Sequence, residues 1–237
     1  MKEHPILFQA AMVRAILDGS KTQTRRVLKE QPIGDRYFDW TCSQPLGGFG
    51  CEIYYANSEE RIKCPYGQIG DHLWVRETFQ PIFADGITDW ADVDYKTGKG
   101  YACVYLATDE IVEFENFEGE IKSTCKPSIF MPRWASRIQL EITNIRVERL
   151  NDCSEADAMA EGIEKNWIGD LTKGPNGFGG EGWTPDNGWN HYLHSVDGEE
   201  AYTAIESYQS LWESINGAGS WAANPWVWVV EFKVVKP

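Results

Sequence analysis

Residues 136–150, SRIQLEITNIRVERL, alternate apolar and polar side chains over a long stretch. Successive side chains of an extended strand point to opposite faces, so this pattern predicts one strand or a bent pair of strands in the middle of the chain. DHLWVRETF, residues 71–79, reads the same way, with Leu73, Val75 and Glu77 alternating with Trp74, Arg76 and Thr78. NPWVWVVEFKVV reads as a closing strand, TRRVL at 24–28 as the start of one, and CEIYYA and YACVYLA as shorter candidates.

Three segments carry helical signals instead. FQAAMVRAILD, residues 8–18, has apolar side chains at helical spacing, and Gly19 stands where a glycine ends a helix. SEADAMAEGI offers Ser154 as N-cap, Asp157 three residues on, and Gly162 as a stop. AYTAIESYQSLWESING is amphipathic and closes on Gly217. Strands dominate without regular strand–helix alternation, which predicts an α+β protein: a small mixed or closed sheet with helices at its ends.

The bulk properties restrict function. Lys and Arg number 22 against 36 Asp and Glu, a formal charge of −14, which argues against sequence-independent binding to long nucleic acids. A local basic pocket for a nucleotide or a short strand remains compatible with it. No apolar run long enough for a membrane span and no leader pattern occur, so a cytoplasmic protein without membrane partners is expected. The six cysteines are dispersed with no C-x-x-C pair, predicting reduced, mostly buried thiols rather than a metal or redox site. His191 and His194 in HYLH lack the glutamate and third ligand of a zinc motif. No metal and no cofactor is therefore expected. GFGGEG, residues 177–182, satisfies G-x-G-x-x-G, but its flanks are loop sequences, so no dinucleotide site is read there.

GSKTQTRR, residues 19–26, is the remaining unusual string. Lys21 and Thr24 share neither a helical turn nor a strand face, and converge only if residues 20–23 form an irregular connection; Thr24 and Arg26 share a face. Read from composition alone, the string is an ordinary basic turn, with solvated cations and threonines that suit a strand.

The string resembles the signature of the ASCH domain family, Gly-x-Lys-x-x-(Glu/Thr)-x-Arg, which also follows an N-terminal helix. GDHLWVRETF resembles that family's second signature, a Gly-Asp turn leading into a strand with a glutamate. PSIFMPRWASRI and DCSEADAMAEGI are similar to a subgroup found in phage and prophage genomes. The resemblance implies a PUA-like small β-barrel with flanking helices, as one domain over residues 1–237, with long loop insertions at about 35–63, 80–125 and 165–200. Within the family, the bacterial N(4)-acetylcytidine amidohydrolases are similar at the motif positions, which implies Lys21, Thr24 and Glu77 as catalytic residues, with Arg26 at the last motif position. This chain is longer, and its insertions bear on the shape of any pocket.

The chemistry can be argued separately. A threonine hydroxyl is a weak nucleophile that needs an adjacent base. Lys21 suits that role if burial and Arg25 or Arg26 lower its pKa, and Glu77 in a partly apolar setting suits proton donation to a departing cytosine amine. The opposite division, with Glu77 as base and Lys21 stabilising the oxyanion, is equally reasonable. Arg26 and Arg25 are candidates for holding substrate, with Arg133 and Trp74 in reserve; Ser136 is a further candidate. Trp134 and Trp74 read either as base-stacking surfaces or as core, and Cys64 as structural. The expected partner is a modified nucleoside or nucleotide. Two other readings stand beside hydrolysis: an RNA- or nucleotide-binding module, on short RNA and without turnover, and a phage accessory protein binding a host protein in the host cytoplasm.

Overall fold

The computed structural model describes residues 1–31, 38–39, 52–55, 61–85, 90–116, 118–163 and 203–235. At 38–39, 52–55, 61–62, 114 and 122 it describes the backbone alone. His191, His194, the 177–182 string, Cys42, Cys51 and the expected insertion at 165–200 lie outside the described residues.

In chain order the elements are β1 (Glu3–Leu7), α1 (Ala10–Leu17), β2 (Gln23–Val27), β3 (Phe38–Asp39), β4 (Glu52–Tyr55), β5 (Arg61–Lys63) and β6 (His72–Arg76). They continue with β7 (Phe79–Phe83), β8 (Tyr101–Tyr105), β9 (Phe114–Glu115), β10 (Ile121–Lys122), β11 (Gln139–Arg149), α2 (Glu155–Ala160), α3 (Ala204–Asn216) and β12 (Trp226–Val235). The class is α+β, mostly sheet with few helices. Among the described residues no helix is long and apolar enough to cross a membrane.

The largest sheet has the order β1-β6-β11-β12-β2. β1 runs parallel to β6, with Pro5 opposite Trp74, and β11 pairs antiparallel with β6, with Leu140 opposite Leu73. β1 has no counterpart in the sequence reading. EHPIL is too short to show alternation, and Pro5 argues against a central strand. As an edge strand it tolerates the missing N–H. β11 is one continuous strand, although its apolar positions change phase between Ile142 and Ile145, both of them buried.

Two compact units divide the chain. The first comprises residues 1–18, 37–145 and 230–237. α1 buries Val13, Ala15 and Ile16 and ends as Gly19 adopts a φ of +83°, a conformation that suits glycine. Ile6, Leu73, Val75, Leu140 and Phe232 are buried in this unit. The expected insertion at 80–125 holds an antiparallel pair, β7 with β8, and the short β9–β10 hairpin. Gln80, fully buried, donates to Val112 O at 2.7 Å and accepts from Val112 N at 3.1 Å, which fastens the acidic segment to β7. The described side chains of that segment, from Asp109 to Glu120, are exposed apart from the half-buried Asn116, as its charge predicts.

The second unit comprises residues 19–36 and 146–229. Ser154 and Asp157 form a reciprocal capping box at α2, and Thr203 and Glu206 form another at α3. α3 buries Ala204, Ser207, Tyr208, Ser210, Leu211 and Trp212, one broad face at helical spacing. It ends at Gly217 with a φ of +94°. Cys153 and, in the first unit, Cys64 are buried free thiols, while Cys103 and Cys125 are half-buried.

Candidate functional site

The motif string GSKTQTRR lies in the second unit, where it leaves the end of α1 and enters β2. Lys21 is 2% exposed and forms an antiparallel bridge with Glu161, the C-cap residue of α2. Its amine donates to Glu161 O at 2.7 Å and to Glu161 Oε2 at 3.0 Å. Arg25, equally buried, donates from Nη1 to Glu161 Oε1 at 3.1 Å and from Nη2 to Glu148 Oε1 at 2.5 Å. Asp157 Oδ2 stands 3.6 Å from the same Nη2. Arg146 completes the group through Glu148 Oε2 at 2.9 Å and Asp157 Oδ1 at 2.8 Å.

Lys21, Arg25 and Arg146 thus meet Glu148, Asp157 and Glu161, an ionic network balanced in charge. Balance matters because an unpaired buried charge costs several kcal/mol, on the order of 3–5. Burial lowers the pKa of the Lys21 amine below its ordinary value; Glu161 opposes that shift, and Arg26 and Arg25 reinforce it. Burial is the largest single influence on the Arg25 guanidinium and lowers its pKa, but Glu161, Cys153, Tyr208 and Glu148 together outweigh it and raise the value. The Cys153 thiol is pushed up to about 12 by burial, and the buried Tyr208 phenol well above its usual range by burial and Glu161. Tyr208 sits on α3 with its ring centroid 5.8 Å from Arg25 Cζ.

Side-chain direction follows from the extended backbone. Lys21, Gln23 and Arg25 all reach α2 or its cap, Gln23 through Asp157 O at 3.0 Å. Alternation sends Thr24 and Arg26 to the opposite face. Thr24 is buried, and among the described residues no hydrogen bond joins its side chain to Lys21. The segment therefore brings Lys21 together with Arg25, not with Thr24. Arg26 is half-buried.

Glu77, Trp74 and Arg133 belong to the first unit. Glu77 lies just beyond β6, not within it, and is 1% exposed. Its surroundings are less apolar than the sequence suggests. Arg137 donates from Nε to Oε1 at 2.9 Å and from Nη2 to Oε2 at 3.0 Å, a bidentate clamp on both oxygens. Arg137 in turn lies 4.0 Å from the ring centroid of Tyr105, whose hydroxyl donates to Ala135 O at 3.0 Å. Burial raises the Tyr105 pKa. Phe79, Met131 and Ala135 form the apolar floor beside it, with Cys103, Tyr105 and Trp134 packed against them.

No family model, curated protein or solved structure matches this chain.

The other candidates are engaged locally. Arg133 makes a bidentate pair with Glu3 at the surface, both contacts at 2.9 Å. The Trp74 ring is covered by Arg76, 5.4 Å from its centroid. Trp134 packs edge-on against Tyr95 and donates from Nε1 to Tyr95 O at 2.8 Å, so it is built into an aromatic cluster. Ser136 donates to Val75 O at 2.7 Å, a strand contact. Among the described residues no group of His, Cys, Asp and Glu could hold a metal ion.

Glu161, Glu148 and Arg137 were not singled out by sequence. Glu161 stands before the helix-stop Gly162, a local signal that says only where α2 ends. Glu148 sits in the alternation of β11, where a charged residue reads as solvent-facing.

Proposed function

We propose that the chain is an ASCH-domain protein of PUA-like fold that hydrolyses an N4-acylated cytosine nucleoside, with N(4)-acetylcytidine as the closest model substrate. One observation carries this reading: the wholly buried Lys21 amine, 3.0 Å from the Glu161 carboxylate, with its pKa drawn down by burial. A basic side chain whose pKa is drawn down gives up its proton more readily than an ordinary lysine, which suits it to proton transfer. The order of the motifs supports the family reading, with α1 ending at Gly19, the basic string entering β2, a Gly70–Asp71 turn leading into β6, and Ser154 capping α2.

In this reading Thr24 Oγ1 attacks the acyl carbon and gives up its hydroxyl proton to Lys21 as base, a transfer for which the amine must leave Glu161. The bond from the acyl carbon to N4 breaks, and N4 leaves as the cytosine amine with the proton that Lys21 accepted. Water then cleaves the acyl-threonine ester, releasing the carboxylate and restoring the hydroxyl. The substrate is a compact nucleoside, in keeping with the acidic charge, and the setting is the host cytoplasm.

A second reading, an RNA- or nucleotide-binding module without turnover, is favoured by a different observation: Lys21 and Thr24 alternate in direction, and Lys21 and Glu77 are each held by a charged partner. Incubation of the purified protein with N(4)-acetylcytidine, with cytidine and acetate quantified by chromatography, separates the two. Turnover is expected, with Lys21→Ala lowering kcat by about 10²–10⁴-fold and Thr24→Ala abolishing the acyl intermediate. Binding without hydrolysis, or Thr24→Ala behaving as wild type, overturns the hydrolytic assignment.

A further inference from the structure

One residue of the buried network serves two cations at once. Glu161 gives Oε2 and its backbone oxygen to Lys21 Nζ, and Oε1 to Arg25 Nη1. We infer that Glu161 is the positioning residue for the Lys21 amine, fixing its place and its charge through a carboxylate that Arg25 holds from the other side. The inference rests on the reading of Lys21 as the proton-transfer group, and it adds a residue outside the two signatures, in the DCSEADAMAEGI string.

The backbone explains why the carboxylate stays in place. Lys21 and Glu161 form a bridge, and Thr22 N donates to Ala160 O at 2.9 Å, so the two chain segments are joined on both sides of the contact. The carboxylate is 4% exposed and the Lys21 side chain is fully buried, so water provides little screening between them. The groups facing this pair are known element by element. β2 contributes Arg25, with Arg26 adding its charge from the opposite face of the strand, β11 contributes Glu148 and Arg146, and α2 contributes Asp157. The Cys153 thiol and the Tyr208 phenol of α3 are buried beside them, and burial keeps both protonated at neutral pH.

In this set Glu161 is the carboxylate that contacts Lys21. Replacing it by glutamine keeps the size and an acceptor but leaves the amine beside Arg25 without the Glu161 charge, while the Arg26 charge still acts from the opposite face of β2. The neutral amine then becomes the favoured form at a lower pH.

The test is a titration of ¹³Cε-labelled lysines by NMR in the full chain, with the Lys21 signal assigned by its loss in Lys21→Arg. In wild type the Lys21 midpoint is expected below those of the surface lysines. Glu161→Gln moves it down by a further 1–3 pH units, roughly the effect of losing an opposite charge at this range. Glu161→Asp, which keeps the charge on a shorter arm, moves it less. An unchanged midpoint in folded Glu161→Gln overturns the inference. If circular dichroism shows that Glu161→Gln does not fold, Glu161→Asp decides: a lowered midpoint supports the inference and an unchanged one overturns it. A kinetic arm separates this from the hydrolytic reading. The acid limb of the kcat/KM profile on N(4)-acetylcytidine moves to lower pH in Glu161→Gln, and a limb that stays put overturns the inference alone. Absence of turnover in wild type with the expected titration overturns the hydrolytic reading and leaves the Glu161 assignment supported.

Discussion

Asp157 shows how much a single side chain can carry. Its Oδ2 accepts from Ser154 N at 3.3 Å to complete the cap of α2 and from Ser154 Oγ at 2.7 Å, its Oδ1 accepts from Arg146, and Arg25 is close by. Burial pushes its carboxyl up, but Ser154, Arg25 and Arg146 together hold it below the usual 3.8. A carboxylate depressed on folding contributes stability that is present above its unfolded value and lost as pH falls through the folded one. Asp157→Asn is therefore expected to destabilise the protein by about 1–3 kcal/mol at pH 7, with the difference shrinking below pH 4. Urea midpoints at pH 7 and pH 3 check this; an equal loss at both values would show that the charge is not responsible. At this scale the sequence exposed the cap and hid the network. Ser154 and Asp157 are three residues apart, so their relation is local. Lys21 and Glu161 are separated by 140 residues, and nothing in either neighbourhood reports the other. Glu77 was visible as a buried alternation position, but its clamp Arg137, sixty residues on, was not.

Among the elements, α2 and α3 were legible because caps and glycine stops are written in adjacent residues. α3 also illustrates what a cap does for a helix that must hold Tyr208 beside Arg25. Thr203 Oγ1 accepts from Glu206 N at 3.1 Å, and Glu206 Oε2 accepts from Thr203 N at 3.1 Å. Thr203→Ala is expected to cost about 1 kcal/mol, and Thr203→Ser to restore most of it. Chemical denaturation measures both; a rescue by serine identifies the hydroxyl as the cause. β1 was not legible, since a five-residue segment with a proline becomes a strand only because β6 supplies its ladder. Glu77 was assigned to the strand because alternation continues through it, yet pairing stops at Arg76. Periodicity reports burial; only a partner strand defines the end of a ladder.

For the molecule as a whole, composition and the order of patterns were enough for the α+β class. They did not give the order of the main sheet, which depends on pairings between segments far apart in the chain. The division into two units, one of them assembled from residues 19–36 and 146–229, was equally invisible, because it depends on contacts across more than a hundred residues.

That sheet order bears on how the protein is made. β12 stands between β11 and β2, and Leu28 N already donates to Trp226 O at the start of this arrangement. A nascent chain emerging from the ribosome therefore carries β2 through the whole stretch up to Trp226 before the strand it lies against exists. Until then two strand edges are bare and open to pairing with another chain. A fragment ending at Gly217 is expected to sediment as aggregate on expression while the full chain stays in the supernatant. If that fragment stays dispersed, β2 and β11 must be protected by something other than β12. Dependence on a strand so far along the chain makes the arrival of β12 a checkpoint for the main sheet, and gives chaperones that hold unfinished chains a defined interval in which to act.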